Sequence, residues 1–361
     1  MHRRSFLTRT AALAALPAAG CATADPHAGV EVNRGAVLLA AIDLNGAPGA
    51  ALGVVRAGRV VALGGKGRRG PQDAVVPDAD TVFEIGSLTK TFTASLIFEL
   101  EAEGRLDASR TIGDYVLALP EAWRGRTLES LLSHTSGLPE YLDAGNFLEL
   151  MPRDLPPRDL IALAAAKPVD FESGARHAYS NTGFVLLGMA AEAVGGASYW
   201  DQIETRFLRP AGMTRTGPRG RIRPDSNMAS GRFWDGESWN DHPPISAPGS
   251  TFSAGGLTST ARDLTRWAAA IDRGAVLSPH ARRRIWRPAH LADGSPAGWG
   301  YGWVVEQVEG RTLASHGGGT AGFSCWFRRD IEAELTTVVL TNQNGRADPL
   351  EMTDQVLAAL A

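Results

Sequence analysis

Three short polar stretches of the chain hold residue types suited to nucleophilic chemistry: Ser87-Leu88-Thr89-Lys90, Tyr179-Ser180-Asn181 and His316-Gly317-Gly318. A serine hydroxyl is a weak nucleophile until a neighbour takes its proton, and a lysine can do so once burial or nearby cations lower its pKa. Ser87 and Lys90 are three residues apart, a spacing that puts two side chains on one helical face. Alone, this pair also fits a capping serine followed by a solvated lysine. Tyr179 and Asn181 stand just before an apolar run from Phe184 to Val194. By themselves they read as a capping loop with a half-buried tyrosine. Three glycines follow His316, and a strand edge without side chains can approach a ligand backbone closely.

These residues need elements to position them. Val82 to Ile85 ends an apolar run and Gly86 supplies a turn. Leu88, Phe92, Leu96, Ile97 and Leu100 then follow a helical period up to Gly104, which places Ser87 in the first helical turn. The positive end of that helix favours an oxyanion beside Ser87. Ala50–Val55 and Val60–Gly65, joined through Arg56-Ala57-Gly58-Arg59, read as an antiparallel hairpin after a helical segment from Val30 to Leu44. Further strands are predicted at Gly298–Val305, Arg311–Ser315, Phe323–Phe327 and Leu335–Thr341, and helices at Ala261–Asp272 and Pro349–Ala361. Ser133 to Pro139 is dense in polar residues. No Gly-x-Ser-x-Gly elbow accompanies its Ser-His pair, so His134 reads as part of a hydrogen-bonded loop and not as a triad member. The segment from Arg221 to Gly249 reads as a polar excursion over the site. Trp234, Trp239, Trp299 and Trp303 read mainly as core or rim packing. The fold class is α+β: a mainly antiparallel sheet flanked by helices, with a largely helical insertion. Residues 25–361 read as one domain, with an α/β lobe of about 30–105 and 250–361 and a helical lobe of about 106–249.

Composition narrows the function. A formal net charge of −3 over 361 residues leaves no electrostatic footprint for nucleic acid. Two cysteines, Cys21 and Cys325, cannot build a disulfide framework or a cysteine zinc site, and the eight histidines show no metal-ligand spacing. Cys325 reads as a small buried hydrophobe on a strand. The first 24 residues read as an export signal: Arg3-Arg4-Ser5-Phe6-Leu7 resembles a twin-arginine motif, and a small-residue apolar run follows. Ala18-Ala19-Gly20-Cys21 resembles a lipobox, with Cys21 as the lipidated first residue, although Ala18 stands where leucine is usual. Ala22-Thr23-Ala24 fits ordinary cleavage instead. The preferred reading is a lipoprotein with membrane attachment through Cys21, and either route places the protein in the periplasm or on a membrane outside the cytoplasm.

In their order along the chain, the three motifs resemble the active-site motifs of the serine β-lactamase and penicillin-binding superfamily. The likeness is closest to the class C-like branch with its DD-peptidases, D-aminopeptidases and esterases. It implies a β-lactamase/transpeptidase-like fold. Ser87 would be the acylated nucleophile, with Lys90 helping to deprotonate it and Tyr179 acting as general base and acid. Asn181 would bond Lys90 and the substrate amide, while His316, Gly317 and Gly318 would bind substrate. The backbone N–H groups of Ser87 and Gly319 would form the oxyanion hole. An ammonium beside Tyr179 is expected to lower its phenol pKa, so that lysine and tyrosine titrate as a coupled pair. His316 departs from the Lys-Thr-Gly of many β-lactamases, and a histidine is cationic only part of the time near neutral pH. Ester and D-peptide hydrolysis therefore rank ahead of efficient β-lactam hydrolysis. The resemblance implies an exported serine hydrolase acting on a small-molecule or peptide substrate, without metal or organic cofactor. The competing reading is a non-turnover penicillin-binding or cell-wall sensor protein.

Overall fold

The computed structural model describes residues 28–144, 147–219, 221, 227–242 and 247–360. The export segment with Cys21 lies outside them, as do residues 222–226 and 243–246 of the polar excursion.

A six-stranded antiparallel sheet forms the spine, built from β1 (Gly49–Arg56), β2 (Arg59–Gly67), β8 (Val304–Val308), β9 (Arg311–Gly319), β10 (Ser324–Asp330) and β11 (Leu335–Thr341). Its strand order is β2-β1-β11-β10-β9-β8. The two chain ends thus meet in the middle, where Ala50 pairs with Thr341. Three-stranded sheets flank the spine: β3 (Phe83–Glu84), β7 (Leu257–Ser259) and β4 (Gly217–Pro218) form one. The other consists of β12 (Gln343–Asn344), β5 (Gly231–Trp234) and β6 (Trp239–His242), so described parts of the polar excursion form a hairpin.

β1 shows why the strands are continuous apolar runs: seven of its eight residues are buried because both faces are covered. Leu52 and Val54 face a small core with Val339 of β11 and with Leu38, Met352 and Val356, supplied by the N- and C-terminal helices Ala28–Ala41 and Pro349–Leu360. Ala51 and Val55 point the other way, into the large core. Gly53 lies between them on that face. A methyl group there would stand 2.4 Å from Thr265 Cγ2, so the absent side chain admits the helix Ala261–Asp272. The helix Thr89–Ala102 runs through the large core with its first ten residues fully buried, Phe92 stacking on Trp267 at 4.6 Å between centroids. A helix buried on all sides is a core helix, and its polar side chains must find partners inside the protein. Its hydroxyls bond within the protein, with Ser95 donating to the Thr91 carbonyl (2.7 Å) and Thr93 to that of Ser253 (2.7 Å).

The strand predicted at Gly298–Val305 begins only at Val304. Gly298 and Gly302 adopt positive φ, and the Gly302 N–H donates to the Leu132 carbonyl (2.9 Å). A methyl at Gly302 would sit 2.6 Å from Ala94 Cβ, so the glycine lets this loop press on the central helix. Trp303, buried, packs edge-on against Phe327. Cys325 is buried on β10.

Asp272 and Arg329 tie the Ala261–Asp272 helix to the sheet with side chains only 3% and 2% exposed. Asp272 also accepts the Gly58 N–H (2.9 Å), and Arg329 lies over the Trp286 ring. Removing one partner of such a pair strands the other charge in the core. Asp272→Ala is therefore expected to destabilise the fold by about 3–5 kcal/mol. The double variant Asp272→Leu/Arg329→Met should recover most of that loss, and urea denaturation of the three proteins checks it.

Candidate active site

The strand β3 leads through Ile85 into Gly86, whose φ is +46°. A methyl at Gly86 would lie 2.6 Å from the Gly319 carbonyl oxygen and 2.8 Å from its nitrogen, so glycine alone brings this turn against β9. Gly86–Leu88 then form a short 3-10 turn, and the α-helix starts at Thr89. Ser87 thus sits in that tighter turn and not in the first α-helical turn. Thr89 fixes the junction, its hydroxyl donating to the Gly86 carbonyl (2.7 Å) and accepting the Leu257 N–H (3.2 Å).

Lys90 points from the first helical turn back to the serine. Its Nζ donates to Ser87 Oγ (3.3 Å), Asn181 Oδ1 (2.7 Å) and the Ala254 carbonyl (2.7 Å). The last carbonyls of a helix lack intrahelical partners, and Ala254, near the end of Pro248–Gly255, offers one of them. Lys90 is wholly buried. Burial pulls its ammonium down to about 7, against the opposing negative charge of Glu140. Burial thus favours the neutral amine, the form able to take the serine proton, far more than in an exposed lysine.

Tyr179 and Asn181 come from the entry to the helix Asn181–Gly195, which Ser180 caps by accepting the Gly183 N–H (3.0 Å). Asn181 is the first residue of that helix and not part of a preceding turn. The Tyr179 ring lies beneath Lys90, with Nζ 4.7 Å from its centroid. The ammonium therefore meets the ring face. Tyr179 is 38% exposed, yet its phenol is held above the usual tyrosine range. Atoms crowding the site disfavour the phenolate, and the negative charge of Glu140 adds to this against a hydrogen bond from Ser87. The expected depression of the phenol by Lys90 does not occur. The phenol therefore rests protonated and takes a hydrogen bond from Ser87.

His134, read from sequence as a loop residue, lies directly behind Tyr179. Its carbonyl accepts the Ala178 N–H (2.9 Å) and its Nδ1 accepts the Ser180 N–H (3.1 Å). Its ring stacks on Tyr179 at 4.4 Å. The histidine thus grips both neighbours of the tyrosine and the tyrosine itself. Burial, followed by the charge of Lys90, keeps it neutral. His177 stacks on Trp299 (5.4 Å), and Trp299 stands edge-on to both His134 and His316. Trp299 is therefore part of the site wall, while Trp234 and Trp239 pair with each other on the β5–β6 hairpin.

β8 pairs with β9 only up to Ser315, so among the described strands the edge from His316 to Gly319 opposite β10 is uncovered. A Cβ on Gly318 would fall 1.9 Å from the Ile85 carbonyl oxygen, and one on Gly317 would fall 2.5 Å from the Trp326 ring. The glycines therefore serve packing as much as ligand approach. His316 is buried and lowered to about 3, first by burial and then by the charge of Lys90. Its Nδ1 bonds the Gly317 carbonyl (2.5 Å), an acceptor, so Nδ1 carries the proton. Nε2 keeps its lone pair and has no protein partner. The partly cationic histidine expected from sequence is thus a neutral acceptor.

The structure brings Ser87, Lys90, Tyr179, Asn181 and the His316–Gly319 edge into one cleft. Glu140 also belongs there and was not singled out in the sequence. Its Oε2 accepts the Asn181 N–H (2.6 Å) and its Oε1 the Leu142 N–H (3.2 Å). Its one sequence signal is its place directly after the dense polar stretch ending at Pro139. Among the described residues no group of three His, Cys, Asp or Glu side chains is arranged to hold a metal ion.

A family model described as Beta-lactamase matches residues 39–361. The chain belongs to the Beta-lactamase family. Penicillin-binding protein 4* of Bacillus subtilis is 30% identical to it over 280 residues, 73% of this chain and 61% of that protein. A D-aminopeptidase of Brucella ovis is 27% identical over 308 residues, 83% of this chain and 57% of that one. The chain thus spans about three fifths of the length of these curated relatives. Among solved structures, a D-stereospecific amidohydrolase from Streptomyces sp. superposes with a TM-score of 0.75 at 26% identity, covering 90% of this chain and 98% of that one. The superfamily expected from the three motifs and the α+β class expected from the order of strands and helices are both confirmed.

Proposed function

We propose that this member of the Beta-lactamase family is a serine hydrolase that forms an acyl-enzyme on Ser87 and cleaves amides or short peptides of D-amino acids. The observation that carries the reading is the convergence of a fully buried Lys90 on both Ser87 Oγ and Asn181 Oδ1. Neutral Lys90 takes the serine proton as Ser87 Oγ attacks the carbonyl carbon. The resulting oxyanion lies between the backbone N–H groups of Ser87 and Gly319. The carbon–nitrogen bond then breaks, and the departing amine takes a proton from Tyr179, which Lys90 replenishes. Water repeats the sequence on the ester. A neutral His316 supplies no cation for a substrate carboxylate, which favours substrates with an uncharged reacting end over β-lactams. The names of the aminopeptidase and amidohydrolase relatives agree with that choice. The leader with Arg3-Arg4 supports a place of action outside the cytoplasm, which fractionation of expressing cells tests.

The test is to incubate the protein with D-phenylalanine p-nitroanilide, p-nitrophenyl butyrate and nitrocefin, following chromophore release and intact mass together. Turnover of the anilide or ester with a transient adduct on the Ser87 peptide, and slower turnover of nitrocefin, is the expected result. A stable adduct would replace the hydrolase with a protein that acylates once, and an adduct elsewhere would remove Ser87 from the mechanism.

A further inference from the structure

We infer that Glu140 is a positioning residue of this site, whose carboxylate orients the Asn181 amide toward Lys90 and supplies the countercharge to the lysine. This rests on the reading that Ser87 and Lys90 carry out acyl transfer.

The argument starts from the amide. Asn181 offers one carbonyl oxygen and one NH2 group. Its main-chain N–H donates to Glu140 Oε2, and its side chain is also hydrogen-bonded to the same carboxylate. A carboxylate only accepts, so the NH2 group faces Glu140 and the oxygen is left for Lys90 Nζ at 2.7 Å. A flipped amide would set oxygen against carboxylate and NH2 against ammonium, two repulsions in place of two charge-assisted bonds.

The segment holding Glu140 is itself fixed to the same helix. The Tyr141 N–H donates to Thr182 Oγ1 (3.0 Å), and Thr182 Oγ1 donates to the Pro139 carbonyl (2.7 Å). The Glu140 anion stands at the positive end of the 15-residue helix Asn181–Gly195, where it is favoured.

The groups around this pair leave Glu140 as the countercharge. Lys90 faces it from the nucleophile helix, Tyr141 from its own segment and Tyr179 from the helix entry. His134 and His316 feel Lys90 from the loop behind Tyr179 and from β9. Burial keeps both histidines neutral and both tyrosines protonated. Burial also raises the Glu140 carboxyl above its usual range, with its backbone hydrogen bonds and Lys90 opposing.

The test is the pH profile of kcat/KM, with a D-amino acid p-nitroanilide or p-nitrophenyl butyrate as substrate, for wild type, Glu140→Gln and Glu140→Asp. Glu140→Gln keeps an acceptor for the Asn181 N–H but loses the charge, so Lys90 gives up its proton more readily. The acid limb should move down by about one pH unit. Glu140→Asp keeps the charge on a shorter arm, so its limb should stay near the wild-type position while the plateau falls. An unmoved limb in a folded Glu140→Gln variant overturns the inference. If that variant does not fold, Glu140→Asp decides, and a limb displaced from wild type overturns it. A wild-type protein that forms no adduct on Ser87 overturns the hydrolase reading itself, a result distinct from any variant outcome.

Discussion

Lys90→Met is expected to lower turnover by about 10³-fold or more while leaving the protein folded, because the lysine hydrogen-bonded to Ser87 is the proposed base. Tyr179 cannot substitute, since its phenol is held protonated. On stability two effects oppose one another. Methionine frees the core of a buried cation whose desolvation costs several kcal/mol. It also strands the acceptors Asn181 Oδ1 and the Ala254 carbonyl, each at about 1–3 kcal/mol. These nearly balance, so the variant should unfold within about 2 kcal/mol of wild type at neutral pH.

The pH dependence separates the two effects. The folded-state pKa of Lys90 lies near 7, below its ordinary 10.5, so between these values the unfolded chain binds the extra proton. Wild-type stability therefore gains from Lys90 as pH rises through that window, and the full cost of the buried charge is felt below it. The variant lacks this rise. Melting temperatures taken from pH 6 to 10 should show wild type gaining steadily on Lys90→Met. A constant gap, or activity within about tenfold of wild type, would remove Lys90 from its assigned role.

Gly318→Ala should damage fold and catalysis together. The new methyl would lie 1.9 Å from the Ile85 carbonyl oxygen and 2.9 Å from Cys325 Sγ, and the first of these is backbone that cannot rotate away. β9 must retreat from the Gly86 turn, which draws the Gly319 N–H away from Ser87. Overpacking of this kind costs about 1–3 kcal/mol, and a displacement near 1 Å at reacting atoms costs about 10²-fold in rate. Gly319→Ala is the control, since its methyl would meet nothing closer than Asn344 Nδ2 at 3.5 Å. Urea denaturation and ester hydrolysis on both variants should show Gly318→Ala impaired in both readouts and Gly319→Ala near wild type in stability. Equal effects would mean that close packing of β9 on the Gly86 turn does not hold the site together.

Much of the framework, and the residues proposed to react, were legible in the sequence. Apolar periods placed the helix carrying Lys90, the helix Ala261–Asp272 and the strand Leu335–Thr341 at the positions the structure shows. The order of Ser87-x-x-Lys90, Tyr179-x-Asn181 and His316-Gly317-Gly318 pointed to the superfamily. These features are local, because a side chain's spacing along one element fixes which face it shares. Other features were decided only by tertiary structure. Glu140 lies 41 residues from Asn181 in the chain and 2.6 Å from its nitrogen in the fold. His134 grips Tyr179 through contacts with residues more than forty positions away. The irregular path of Gly298–Trp303 follows from close packing on Ala94, which no strand period reveals. The protonation of the site is the clearest case: Lys90 near 7, a neutral His316 and a protonated Tyr179. A pKa responds to every atom that excludes water and every charge nearby, and those atoms come from elements that only the folded chain brings together.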